Sequence, residues 1–335
     1  MRYVILGAGA IGATIGGRLA EAGCRVVLVG RGEHAAMVKR DGLRLAMPDR
    51  LVLLPVPMLT VDELRLTRED VLIVAVKSQD TPQLLQQLDA VPVDGQLSDL
   101  PLLCAQNGLA NEETALRFFA RVYGVCVNVP ATHLEPGLVE ASGTPVSGAL
   151  QFGRFPHGAD ELSHAIADDL RDSGFRADVR ADVMAWKRAK LISNLSNALQ
   201  VLCLGGYQWG DGASPAREVA ARLAAEATAC YAAAGLTLVD TATFRAGAGG
   251  FQIGAVSGRS RQGGSTWQSV ERGLPSVETD FLNGEIVRLG RLHDVPTPVN
   301  AAVQARMRDI ALGLLTPRTL DTADLLAASA AAGTR

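Results

Sequence analysis

Tyr3-Val4-Ile5-Leu6-Gly7-Ala8-Gly9-Ala10-Ile11-Gly12 decides the fold of this 335-residue chain. A short apolar run ends in Gly-x-Gly-x-x-Gly, and a helical pattern over about 11–22 follows directly, with Gly16 one turn further on. Strand, glycine turn and helix in that order make the nucleotide-binding βα unit. Gly7 permits the tight turn, Gly9 lets a pyrophosphate approach the backbone, and Gly12 allows close helix–strand packing. The helix N-terminus adds free N–H groups and a positive dipole. Gly7, Ala8, Gly9, Ala10, Ile11 and Gly12 are therefore assigned to a dinucleotide.

Outward from this unit, β-branched runs at 25–29, 71–76, 102–105 and 122–127 alternate with helical patterns such as 81–88, as in a parallel βαβ sheet. Residues 135–153 are punctuated by Pro and Gly and read as a hairpin-like extension of that sheet. Beyond residue 178 the pattern turns to long helices over 182–204, 216–234, 265–289 and 298–314. At ~150 residues per domain the length predicts about two domains. The expected fold is α/β: an N-terminal Rossmann-type parallel sheet domain (1–180) followed by an all-helical C-terminal domain (181–325) and a flexible tail (326–335). The glycine-rich stretch 246–264 reads as a mobile loop.

Composition narrows the function. Hydrophobic residues make up 48% and charged residues 20%, a globular balance, and the net charge of −3 offers no global field for nucleic acid or anionic lipid. No stretch reaches the ~18 apolar residues of a membrane span, and the glycine turn follows the first strand too soon for a signal peptide. The odd count of 5 cysteines, widely spaced and without C-x-x-C, reads as reduced thiols of a cytoplasmic protein. The histidines lack metal-ligand spacing, so no metal is expected.

Polar residues just after parallel strands mark the ligand end of such a sheet. The second strand ends Leu28-Val29-Gly30-Arg31, with no carboxylate for a ribose 2′-hydroxyl and with a cation for a 2′-phosphate, which favours NADP(H). Lys77 and Asn107 follow the next two strands. In the helical half, Lys190, Asn194 and Asn197 share a sector of about 60° at 3.6 residues per turn, away from Leu191, Ile192, Leu195 and Leu199. Ser265-Thr266 and Glu278 form a second polar cluster.

The glycine motif, Arg31-Gly32-Glu33-His34, Lys77, Gln106-Asn107-Gly108, the Lys190/Asn194 helix and Glu278-Thr279-Asp280-Phe281-Leu282-Asn283-Gly284 occur in an order that resembles the ketopantoate reductases (2-dehydropantoate 2-reductases) over about residues 1–315. The resemblance implies NADPH-dependent reduction of a 2-keto acid in a cleft between the two domains, as in pantothenate and CoA synthesis. It implies Lys190 as the catalytic lysine and Glu278 as its carboxylate partner. Lys77 and Asn107 are implied as cofactor contacts. Asn107, Lys190, Asn194, Asn197, Ser265 and Thr266 are implied on the substrate side, and the partner class, a small 2-keto acid, is compatible with a homodimer.

Two departures fall on the substrate side. The family's helix continues with an Asn-Pro pair, whereas here Asn197-Ala198 comes one place earlier without proline, so the helix is expected to run straighter. The family's Ser-Ser-Met-x-Gln-Asp run reads Ser265-Thr266-Trp267-Gln268-Ser269-Val270, without the acid. The competing readings are a paralogue acting on another 2-keto acid, an opine- or 3-hydroxyacid-type dehydrogenase, and an NADP(H) sensor without turnover.

Overall fold

The structure, a computed structural model, describes residues 1–204, 215–258, 263–271, 273 and 278–332. It divides into two compact units, Met1–Lys187 with Asp240–Arg261, and Arg188–Val239 with Gln262–Arg335.

The first unit is built on eight strands: β1 (Arg2–Leu6), β2 (Arg25–Val29), β3 (Met58–Leu59), β4 (Asp70–Val74), β5 (Pro101–Cys104), β6 (Arg121–Asn128), β7 (Ala149–Arg154) and β8 (Arg176–Val179). Their spatial order is β8-β7-β6-β5-β4-β1-β2-β3. β7 runs antiparallel to β6, and the other neighbouring pairs are parallel. The strands are apolar on both faces because both faces are covered. Tyr3, Ile5, Val26, Leu28, Val71 and Ile73 enter one core cluster, while the alternating Val4, Leu6, Val27, Val29, Leu72 and Val74 enter another. Asp70 begins β4 at a buried position and holds the Arg2 guanidinium through two hydrogen bonds of 2.6 Å.

Helix α1 (Ala10–Glu21) lies between this sheet and a smaller one, whose strands 51–54, 43–46, 138–141 and 131–132 neighbour one another in that order. A Cβ on Gly16 would come within 2.6 Å of Leu28, and one on Gly17 within 3.1 Å of Leu43 and Leu45. Part of the chain's glycine excess is thus what lets one helix pack against two sheets.

The remaining helices of this unit are α2 (Gly32–Asp41), α3 (Thr81–Asp89), α4 (Asn111–Ala115) and α5 (Glu161–Asp172). Then comes α6 (Val183–Asn194), within which the division between units falls, after Lys187 and later than the expected 180/181. In the second unit follow α7 (Leu199–Leu202) and α8 (Pro215–Ala233). The chain then returns to the first unit as α9 (Thr241–Ala248) and the short strand 252–253. That strand pairs antiparallel with Gly143–Thr144, so the glycine-rich stretch is anchored at its centre instead of forming one open loop; its residues 259–262 lie outside the described residues. Gly247 explains the anchoring, since a Cβ there would stand 2.4 Å from the buried Trp186 ring, and the Gly247 carbonyl accepts a 2.7 Å bond from the buried Gln151 amide. Gly247→Ala is expected to cost about 1–3 kcal/mol by overpacking. A lowered denaturation midpoint would report it, and an unchanged midpoint would contradict this packing.

The second unit ends with α10 (Ser265–Glu271), α11 (Asn283–Leu292), α12 (Pro298–Ala311) and α13 (Thr322–Ala332). The single helix expected over 265–289 is instead α10, a 3-10 turn at Glu278–Phe281 and α11; residues 272 and 274–277 lie outside the described residues. The expected tail also departs from expectation. Residues 322–332 form α13, which packs on α8 and α12 and buries Leu325, because an apolar Leu-Leu-Ala-Ala run gains by covering their exposed face; 333–335 lie outside the described residues.

Candidate active site

In the first unit the candidate residues gather at the carboxyl ends of the strands. Gly7 and Ala8 donate to Val29 O at 3.0 and 3.1 Å, Ala75 donates to Leu6 O at 2.8 Å, and Ala105 donates to Val74 O at 2.8 Å. The ends of β2, β1, β4 and β5 therefore stand side by side. β1 and β4 flank the switch point, from which the chain winds outward in both directions, and ligands bind at such points. Gly7 has φ +107°, and Gly12 faces it so closely that a Cβ would lie 2.0 Å from Gly7 O. Gly9, the residue before α1, is the opposite case: a Cβ there meets nothing within 4 Å. The loop is packed from behind and open in front, as a pyrophosphate site needs. Arg31 follows β2 with its side chain 80% exposed, and Asp80 is 3.9 Å from it. Lys77 and Asn107, both half-buried, follow β4 and β5.

A buried polar network that the sequence pattern does not reveal lies beneath Lys77 and Asn107. The Gln106 amide donates to Val76 O at 2.8 Å and to Thr81 Oγ1 at 2.7 Å. Asn111 Nδ2 donates to Ser78 Oγ and to Asn107 O, both at 3.1 Å, and Thr81 Oγ1 donates to Asn111 Oδ1 at 3.0 Å. Lys187 Nζ donates to Gln106 O at 3.1 Å and is ion-paired with Glu112. Burial pushes the Glu112 carboxyl up, and the ammonium beside it pulls the other way. Lys187 directly follows the apolar run Val183-Met184-Ala185-Trp186 and precedes Arg188, so nothing in the local pattern marks it as buried.

In the second unit, α6 carries Lys190, half-buried, and Asn194, buried. The helix does not run straight on: a 3-10 turn replaces it over Leu195–Ala198 before α7. Ser193 Oγ donates to Lys190 O at 2.7 Å and Ser196 Oγ to Ser193 O at 3.3 Å, which draws the chain toward three-residue bonding. In a 3-10 turn residues three apart eclipse. Asn197 therefore falls on the side of Asn194, and its Nδ2 lies 3.4 Å from Asn194 Oδ1. The two amides are brought together by this change of helix type.

Other elements meet this turn. α10 packs on the 3-10 turn and α7, and Gly264, just before Ser265 opens the helix, donates to Gln200 Oε1 at 2.7 Å. Thr266 is buried on α10, and Glu278 is buried at the start of its own 3-10 turn. Asn283, at the start of α11, donates to Leu195 O at 3.2 Å and to Asn300 Oδ1 at 3.0 Å. It ties the segment that follows Glu278 to the turn that follows Asn194, a role that spacing alone did not reveal.

The cysteines are free thiols, and burial raises Cys104 well above the usual range and Cys203 to about 11, so neither favours a thiolate. Among the described residues no His/Cys/Asp/Glu group has the arrangement to hold a metal, and no helix is long and apolar enough to cross a membrane.

A doubly wound sheet with a glycine loop at its switch point, joined to a helical unit, defines the class of pyridine-nucleotide oxidoreductases with separate nucleotide and helical domains. The family described as "Ketopantoate reductase PanE/ApbA" matches residues 3–157, and its C-terminal part matches residues 182–311. The chain belongs to this family of oxidoreductases. It is 27% identical over 311 residues to 2-dehydropantoate 2-reductase of Pyrococcus horikoshii, covering 92% of this chain and 97% of that protein. A PanE/ApbA family ketopantoate reductase from Ralstonia eutropha JMP134 superposes with a TM-score of 0.74 at 28% identity, covering 94% and 99% of the two chains. A D-mandelate dehydrogenase in complex with NADH and anilino(oxo)acetate shares the fold, with a TM-score of 0.77 at 22% identity over 94% and 99%.

Proposed function

We propose that the protein reduces a 2-keto acid to the 2-hydroxy acid with NADPH, with 2-dehydropantoate giving pantoate as the leading substrate, in pantothenate and CoA synthesis. The observation that carries this reading is the meeting of the Asn194 and Asn197 amides at the 3-10 turn that continues the helix bearing Lys190, in a chain of the ketopantoate reductase family. The residues present fit the dinucleotide: Gly9 leaves room for a pyrophosphate and Arg31 offers a cation to a 2′-phosphate. NADPH, when bound, supplies the hydride that reaches the keto carbon.

Gly7–Gly12 hold the phosphates, and Lys77 and Asn107 orient the cofactor. Negative charge grows on the substrate oxygen as hydride arrives, and the Lys190 ammonium stabilises it and donates the proton. Glu278 holds that lysine or the substrate's hydroxyl. Asn194, Asn197, Ser265 and Thr266 bind the polar ends of the keto acid. The partner is thus a small molecule, and the cellular setting is the cytoplasm.

A panel of 2-keto acids, followed by NADPH absorbance, tests the reading. Turnover is expected to be highest with ketopantoate. A faster branched or polar 2-keto acid would transfer the assignment to a paralogue, and incorporation of an amine would indicate opine-type chemistry. For the cofactor, Arg31→Ala is expected to weaken NADPH about tenfold, near 1.4 kcal/mol, and NADH far less. Equal losses by fluorescence titration would remove the basis for NADP(H).

A further inference from the structure

We infer that Lys187 and Glu112 are positioning residues for the cofactor, acting through the backbone of Asn107; the inference rests on the cofactor role proposed above for Asn107. Their side chains are 2% and 0% exposed, an ion pair wholly removed from water. Such a pair is a poor means of stabilising a fold, because desolvating two charges commonly costs more than their attraction returns, and an apolar pair of similar size does as well or better. Glu112 Oε2 has no hydrogen-bond partner among the described residues, which adds to the cost. What the pair does supply is direction. The ammonium takes the Gln106 carbonyl at 3.1 Å, while Ser78 Oγ and Asn111 Nδ2 take the Asn107 carbonyl at 3.3 and 3.1 Å.

The carbonyls on both sides of Asn107 are therefore held, and its backbone has little freedom left. Gln106, bonded to Val76 O and Thr81 Oγ1, joins the same bracing to the segment that carries Lys77. Glu112 holds the ammonium in the direction of that carbonyl. Lys187 joins this network from α6, the helix that goes on to carry Lys190.

The test compares NADPH dissociation constants by fluorescence, together with melting temperature. The double variant Glu112→Leu/Lys187→Met removes both charges and leaves neither unpaired. It is expected to keep the melting temperature while NADPH binding weakens about 10- to 100-fold, the scale of lost outer-shell support. Glu112→Gln alone keeps the bond from Lys187 to Gln106 O, and its binding is expected to stay within about threefold of wild type even if the protein melts earlier. Glu112→Gln/Lys187→Met replaces the first double variant if that one does not fold, with the same expected loss. A folded double variant that binds NADPH like wild type overturns the inference. Failure of both double variants to fold assigns the pair to stability and overturns it equally. A wild-type protein that binds NADPH but leaves 2-keto acids unreduced overturns the functional reading and not this one; a wild type that does not bind NADPH overturns both.

Discussion

Lys190→Ala is expected to lower kcat by roughly 10²- to 10⁴-fold while NADPH binds as before. The lysine sits on α6 four residues before Asn194, and every proposed nucleotide contact is another residue, so its loss should reach the proton transfer and leave those contacts in place. Lys190→Arg separates charge from proton donation: a guanidinium stabilises the developing oxyanion but gives up no proton near neutral pH. It should fall between wild type and alanine. A sensor without turnover would behave otherwise, since its ligand-linked response would survive the alanine. If Lys190→Ala turned over normally, the proton donor would have to be another group.

The second large effect separates two glycines three residues apart. Gly12→Ala puts a Cβ 2.0 Å from the Gly7 carbonyl and 3.0 Å from Ile5 Cγ2, and neither backbone nor buried strand can yield. The loop must rearrange, with loss of both stability and NADPH binding. Gly9→Ala meets nothing within 4 Å, so the apoprotein should melt as wild type does. The new methyl occupies the space through which a pyrophosphate approaches the backbone, so NADPH affinity should fall by at least about tenfold, or 1.4 kcal/mol. Titration and melting of the two variants give the comparison. An unaltered NADPH affinity in Gly9→Ala would place the dinucleotide elsewhere.

The cluster at the carboxyl ends of the first unit's strands was legible in the sequence because its determinants are local. A strand, a glycine turn and a helix follow one another within twenty residues, and Arg31, Lys77 and Asn107 each stand next to a strand whose apolar run announces it. The buried network was not, because Lys187 and Glu112 lie far apart in the chain and each looks like an ordinary surface residue of a helix. Only the fold brings α4 and α6 to the same buried point. The 3-10 turn at Leu195–Ala198 shows the other limit. Helical periodicity put Asn194 and Asn197 on one face for a regular helix, and the face is right although the helix is not. The hydroxyls of Ser193 and Ser196, which change the local bonding, are not part of a hydrophobic pattern. Similarly, α13 read as a tail because alanine repeats carry no amphipathic signal of their own; packing on α8 and α12 supplies it.

Hydride transfer to a keto carbon can be followed with an isotope. The enzyme is incubated with ketopantoate and NADPH deuterated at the transferable position of the nicotinamide, and the product is analysed by mass spectrometry. The expected product is pantoate carrying a single deuterium on its carbinol carbon, formed in step with NADPH consumption. Oxidation of NADPH without labelled product, or no reaction with ketopantoate or any other 2-keto acid, would contradict it.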